Sequence, residues 1–283
     1  RKIKGEEGES ICHPLWSPDG ILHFVSDFSG WWNIYRIEKE YTINLTPVEA
    51  EFTQAQWGLG SRFYGFSDSR TILGAMNKKG IWELVKIDVL DKKLSGMLPE
   101  IKEISRSGLK IDKNLMVLGA ARQNESFSVF IHNVLRDTVK VTDGEENKIP
   151  SDYFSSPEAI EYETGDNQKA YAFYYPPNNP KYNLLKSELP PLLVMSHGGP
   201  TGATNTSLNL QVQYWTSRGF AVIDVNYRGS TGYGTEYRRR LNKKWGVVDV
   251  EDCINGAKFL IDKGIVDKKR IGIRGSSAGG FTT

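Results

Sequence analysis

A serine set between two glycines, each separated from it by one residue, can present a hydroxyl as a nucleophile, and Gly275-Ser276-Ser277-Ala278-Gly279 has this arrangement with Ser277 at its centre. The hydroxyl must stand clear on a sharp strand-to-helix turn. A side chain at either flank would collide with the elements packed beside it, which accounts for Gly275 and Gly279. A serine that attacks a carbonyl also needs donors for the oxyanion that forms. One is the amide of the next residue, Ala278; the other comes from a loop after an earlier strand. His197-Gly198-Gly199-Pro200 stands in that place. Gly199 is the preferred second donor, and Gly198 lets the backbone come close. His197 is read as fixing the loop, because in this order of motifs the base histidine follows both serine and acid. For each motif alone a tight turn is the competing reading; both closing strand-like runs in the expected order favours the chemical one.

Those motifs need a sheet to hold them. Leu192-Leu-Val-Met195 is a continuous apolar run suited to a strand buried on both faces, and Phe220-Ala-Val-Ile-Asp-Val225 is read as another buried strand. A helix is predicted between them at Leu208–Ser217, stopped by Gly219. The glycine-rich stretch Asn226 to Gly234, NYRGSTGYG, follows the second strand. Val250, Ile254, Ala257 and Ile261 then keep helical spacing, with Asp249 as N-cap and Gly264 as stop. Ile271 onward is the strand that enters the elbow. Strand-helix-strand twice over means a parallel α/β sheet. Ahead of it, Ile160–Glu163 and Ala170–Tyr175 around Gly165-Asp166-Asn167 predict a hairpin, and Pro176–Pro191 a proline-rich loop.

The first half, to about Gly144, reads as short strands joined by turns. The runs beginning at Leu22, Ile72 and Val117 resemble one another and recur about every 45 to 50 residues, as do those beginning at Trp31 and Ile81, with a looser third copy at Ser126–His132. That period predicts three blades of a β-propeller over residues 1–147, with the aromatic stripes as blade core and Trp16-Ser-Pro-Asp-Gly20 as a turn. His13, His23 and His132 are assigned no function. Propellers close with four to eight blades, so further blades are expected ahead of residue 1.

A net charge of +2 over 283 residues gives no reason to expect nucleic acid or an anionic membrane as partner. Arg238, Arg239, Arg240, Lys243 and Lys244 are read as a solvated helix face. No apolar run reaches the length of a membrane span. Cys12 and Cys253, the two cysteines, lie too far apart in sequence for a disulfide framework or a close-spaced metal pattern. No metal and no cofactor is called for, and reducing, cytoplasmic conditions are the expected setting. Nothing in the sequence bears on oligomeric state.

The succession SHGGP, NYRGSTGYG, DVEDCINGAKFLIDKG and GSSAGG, spanning Leu192–Gly280, resembles the prolyl oligopeptidase family of serine peptidases, in particular its acylaminoacyl-peptidase and dipeptidyl aminopeptidase-like branch. The resemblance implies a propeller followed by an α/β-hydrolase domain, here its N-terminal part at residues 148–283. It implies Ser277 as nucleophile, amides of Gly199 and Ala278 as oxyanion donors, and short peptides as substrates. Tyr227, Arg228 and Tyr233 belong to a family signature and are read as loop and packing residues. In the family the triad Asp and His lie beyond the serine, so the 283 residues are expected to be an inactive piece of a serine peptidase. A non-catalytic propeller and pseudo-hydrolase binding protein, and a carboxylesterase, are the alternatives.

Overall fold

The computed structural model describes residues 2–58, 60–136, 138–142, 149–185 and 187–283, without the side chains of Val139 and Lys140. Packing divides the chain into two units, Arg1–Glu145 with Gly232–Glu236, and Glu146–Thr231 with Tyr237–Thr283. The domain boundary expected at 147/148 and the end of the strand-rich half at Gly144 lie outside the described residues.

The first unit holds three four-stranded antiparallel meanders. They are β1 (Ile11–Trp16) to β4 (Tyr41–Asn44) through β2 (Leu22–Ser26) and β3 (Asn33–Glu38); β5 (Tyr64–Phe66) to β8 (Leu94–Met97) through β6 (Thr71–Lys78) and β7 (Ile81–Asp88); and β9 (Glu103–Asp112) to β12 (Thr138–Lys140) through β10 (Leu115–Ala121) and β11 (Ser128–Asn133). The repeated runs of the sequence are the two middle strands of each sheet, where both edges are paired and side chains are most constrained. Period-two alternation buries Met116 and Leu118 on one face of β10 while Leu115 and Val117 are exposed on the other. Phe52, Tyr64, Ile72 and Ile34 cluster between the first two sheets, and Phe63, Trp82, Met116 and Phe130 between the second and third. Each such side chain contributes about 1.5–3 kcal/mol on burial. Trp16, which opens the expected turn, is 68% exposed at the end of β1. The turn beside it is held by Ser17, whose hydroxyl donates to Asp19 at 2.6 Å and accepts from the Ile21 amide at 3.0 Å.

The second unit is built on a mixed five-stranded sheet of order β13-β14-β16-β15-β17. The expected hairpin is β13 (Glu158–Thr164) and β14 (Gln168–Tyr175), turned through Asp166 and Asn167 at φ 60° and 54°. β15 (Leu192–Ser196) lies between β16 (Ala221–Asn226) and β17 (Ile271–Gly275) and runs parallel to both. All six residues of β16 are buried, the polar Asp224 and Asn226 among them. β17 is an edge strand whose five residues are all exposed.

Helices α1 (Leu210–Thr216), α2 (Gly234–Arg239), α3 (Val248–Asp262) and α4 (Ala278–Thr282) complete the chain. α1 is capped by Asn209, whose side chain accepts from the amides of Gln211 and Val212. Two expectations for α3 need correcting. Val247, not Asp249, is the N-cap; Asp249 is buried within the first turn, accepting from the Gly246 amide at 2.7 Å and the Thr282 hydroxyl at 2.6 Å. The buried face runs through Asp249, Asp252, Cys253, Gly256 and Leu260, while Ile254 is 49% exposed. It is rotated about 100°, one residue, from the apolar stripe, because buried carboxylates and a glycine occupy the inner face where hydrophobes were counted. The basic cluster is likewise not one helix face: α2 ends at Arg239, and exposed Lys243 and Lys244 lie in the turns after it.

Candidate active site

Ser277 is exposed at the junction of β17 and α4 with φ 54° and ψ −119°, a left-handed conformation that a non-glycine residue adopts only under constraint from its surroundings. The constraint comes from its flanks. A Cβ on Gly275 would stand 2.2 Å from the Gly279 carbonyl oxygen, and one on Gly279 would stand 2.1 Å from the Ser196 carbonyl oxygen and 2.8 Å from that of His197. Glycine at both positions lets the end of β15 and the start of α4 close on each other. The Ser196 hydroxyl, donating to the Gly279 carbonyl at 3.0 Å, ties them.

This close approach brings the His197–Pro200 loop to the serine. A Cβ on Gly198 would lie 3.3 Å from the Ser277 Cβ and 3.1 Å from the Ser276 carbonyl oxygen. Gly199 takes φ 58°, which glycine adopts without strain. The Ala278 amide opens α4 and has no carbonyl partner within its own helix.

His197 is fixed within this loop by stacking and hydrogen bonds. Its ring stacks on Tyr227 with centroids 4.3 Å apart and planes 12° from parallel, and the Tyr227 hydroxyl donates to the His197 carbonyl at 3.0 Å. Nδ1 lies 3.0 Å from the Gly198 carbonyl and Nε2 2.8 Å from Ser230 Oγ. Burial lowers the imidazole pKa to about 4, partly offset by the Gly198 carbonyl. A neutral ring therefore donates from Nδ1 to Gly198 and accepts at Nε2 from the Ser230 hydroxyl. The Tyr227 carbonyl still receives the Ser230 amide at 2.9 Å. With both nitrogens occupied, His197 is not a base for Ser277. The other imidazoles are engaged locally, His13 with Thr53, His23 with the Ile21 carbonyl and His132 with Thr138.

Farther along the same loop, the Thr204 amide donates to Asn226 Oδ1 at 2.8 Å and its hydroxyl to the Asp224 carboxyl. Asp224 is 5% exposed, and burial raises its pKa to about 6 against the Thr204 hydrogen bond. The two buried groups give opposite pH dependences. At His197 the unfolded chain takes up a proton near pH 6.5 that the folded chain refuses until about 4, so stability is lost as pH falls through that window. At Asp224 the folded chain keeps a proton up to about pH 6 that the unfolded chain releases near 3.8, so stability is lost as pH rises from 3.8 to 6. Asp224→Asn is accordingly expected to be more stable than wild type at pH 7, by up to about 3 kcal/mol, with the advantage gone at pH 4. Urea unfolding at the two pH values checks this; equal stabilities at pH 7 would remove the buried-acid assignment.

The loop after β16 is organised by Arg228, 1% exposed. Its Nε donates to both oxygens of the buried Asp252 at 2.9 and 3.1 Å, its amide to Oδ2 at 2.6 Å, and its guanidinium also pairs with Glu251. Thr164 and Tyr162 add hydrogen bonds at 2.7 Å to Oδ1 and 2.9 Å to the carbonyl of Asp252. Tyr227 and Arg228 thus meet Ser230 and Asp252, while Ser196 and Asp224 tie the neighbouring segments to Gly279 and Thr204; the sequence singled out none of these four. Only Asp252 left a trace, as a charge on the inner side of an amphipathic helix. Among the described residues no three His, Cys, Asp or Glu side chains stand together to hold a metal, and no helix is long and apolar enough to cross a membrane.

An exposed serine on a glycine-flanked strand-to-helix turn, with a second glycine loop folded against it, is the geometry of a serine hydrolase elbow. Residues 206–283 match the model of the prolyl oligopeptidase family. The acylamino-acid-releasing enzyme of Arabidopsis thaliana is 40% identical over 93 residues, 33% of this chain and 12% of that protein. Dipeptidyl aminopeptidase BIII of Pseudoxanthomonas mexicana is 29% identical over 126 residues, 44% of this chain and 18% of that protein. Among solved structures, a Mycobacterium tuberculosis puromycin-hydrolysing peptidase superposes with a TM-score of 0.95 and 37% identity, covering 100% of this chain and 44% of that one. A puromycin hydrolase gives 0.94 and 34%, with 43% of its chain covered. The chain thus spans less than half the length of the relatives it matches.

Proposed function

We propose that Ser277 is the nucleophile of a serine peptidase in which three propeller blades precede the N-terminal part of an α/β-hydrolase domain. The observation that carries this reading is the left-handed backbone of Ser277 held between Gly275 and Gly279 with Gly198 against its Cβ. Ser277 Oγ attacks the carbonyl carbon of a peptide or aminoacyl amide. The amides of Gly199 and Ala278 receive the oxyanion, the amine leaves, and water hydrolyses the acyl-enzyme. The substrate class follows the relatives, which carry the names of acylamino-acid-releasing, dipeptidyl-releasing and puromycin-hydrolysing enzymes; one puromycin hydrolase structure is complexed with PGG. The blade reading of the three meanders is supported by their sequence period and by the superposition over the whole chain.

The proton of Ser277 has to go to a base, and all four imidazoles of these 283 residues are engaged elsewhere. Residues 1–283 by themselves are therefore expected to turn over no peptide, since loss of triad members costs many orders of magnitude. In a polypeptide containing these residues together with the base, a fluorophosphonate probe is expected to label wild type and leave Ser277→Ala unlabelled. Equal labelling of the two removes the nucleophile assignment.

A further inference from the structure

The second unit carries a cavity of about 1270 Å³, larger than the roughly 300–1,000 Å³ usual for small-ligand pockets. Pro190 just ahead of β15, Gly219 just ahead of β16 and Ile265 ahead of β17 line it. It therefore lies where the parallel strands begin, at the opposite end of the sheet from Ser277.

The walls combine an apolar surface with positive charge. Tyr153, Tyr174 and Leu184 supply the first, Lys181 and Arg218 the second, and no Asp or Glu stands among the described lining residues. Neither cation is in an ion pair with a described residue. Arg218 is oriented: its guanidinium lies 3.7 Å from the Tyr214 ring centroid and donates to the Tyr214 carbonyl at 3.1 Å, using one terminal nitrogen and leaving the rest of the fork to face a ligand. The rim is built by hydrogen bonds. Asn178 donates to the carbonyls of Asp152 and Phe154 at 2.8 and 3.0 Å, and Asn179 to that of Ser217 at 2.7 Å. Tyr174 is 7% exposed, and its hydroxyl meets no hydrogen-bond partner among the described residues. Burial, with a smaller contribution from the Glu158 carboxylate on the neighbouring strand, pushes that phenol up to about 12, which keeps it a neutral donor.

An oriented guanidinium, a second cation, an unpartnered hydroxyl and an aromatic wall, with no carboxylate among the described lining residues, select one ligand chemistry. We propose that this cavity is a second binding site, separate from Ser277, for an aromatic or long-chain monocarboxylate. Its carboxylate sits on Arg218 and Lys181, and its apolar body against Tyr153, Tyr174 and Leu184.

Calorimetric titration of the whole chain with 4-biphenylacetate, and with 4-biphenylacetamide as its neutral counterpart, tests this. The carboxylate is expected to bind with Kd on the order of 100 μM and the amide at least about tenfold more weakly. Arg218→Gln and Lys181→Gln are each expected to weaken the carboxylate about fivefold or more, while Ser277→Ala leaves it unchanged. Equal affinity for acid and amide, wild-type affinity in both charge variants, or no binding at millimolar carboxylate overturns the site. Loss of binding in Ser277→Ala overturns its separation from the nucleophile, whatever the probe labelling of Ser277 shows.

Discussion

Asp252→Ala is expected to lower the stability of the second unit by about 3–5 kcal/mol, the cost of stripping one partner from a buried ion pair. Arg228 keeps its charge and stays 1% exposed, but loses the acceptor of its Nε and of its own amide, while Thr164 loses the acceptor of its hydroxyl. Glu251 remains beside the guanidinium, which places the loss toward the lower end. The pair Arg228→Met with Asp252→Leu should cost much less than Asp252→Ala alone, because apolar side chains of similar volume leave no charge unpaired. Urea unfolding followed by tryptophan fluorescence measures both. A loss under about 1 kcal/mol for Asp252→Ala would mean that the network acts as a solvated pair and does not anchor the loop after β16.

The second large effect is at the elbow. Gly279→Ala puts a methyl group 2.1 Å from the Ser196 carbonyl oxygen and 2.7 Å from its carbonyl carbon, with no flexible side chain to give way. Overpacking commonly costs about 1–3 kcal/mol. Against backbone on both sides, the upper end or beyond is expected, together with displacement of the Gly198 loop from Ser277. Gly280→Ala is the control: its Cβ would meet the Gly275 carbonyl oxygen at 3.6 Å, an ordinary contact, and its position inside α4 favours alanine by up to about 1 kcal/mol. Thermal unfolding of the two variants separates close approach from a general intolerance of substitution in α4. Equal melting temperatures would count against the packing reading of Gly279.

Much of the second unit was legible in sequence because its strands are buried on both faces and its turns need glycine. Leu192–Met195 announced itself as an apolar run and Phe220–Val225 as a largely apolar one, and β15 and β16 differ from them by a residue at the ends. The repeat at Leu22, Ile72 and Val117 located middle strands, whose side chains must match neighbours on both sides. It missed the outer strands, such as β5 and β12 with three residues each, which have one neighbour and little pattern. The α3 face was misjudged for a definite reason. An apolar count treats Asp249, Asp252 and Gly256 as outward-facing, whereas Asp252 faces Arg228 and Gly256 sits where a Cβ would stand 2.9 Å from both the Tyr162 hydroxyl and Ile223.

By itself the sequence determined the chemistry on offer: a serine on a strand-to-helix turn, a second glycine loop, and their order along the chain. Those features are local, since a left-handed residue between two glycines is specified by neighbours in sequence. The tertiary structure decided what holds them. The stack of His197 on Tyr227, the Ser230 hydroxyl on Nε2, the Thr204–Asp224 anchor and the Arg228–Asp252 pair join residues 20 to 33 positions apart. No periodicity encodes such pairings; only the parallel packing of β15, β16 and β17 brings their partners together.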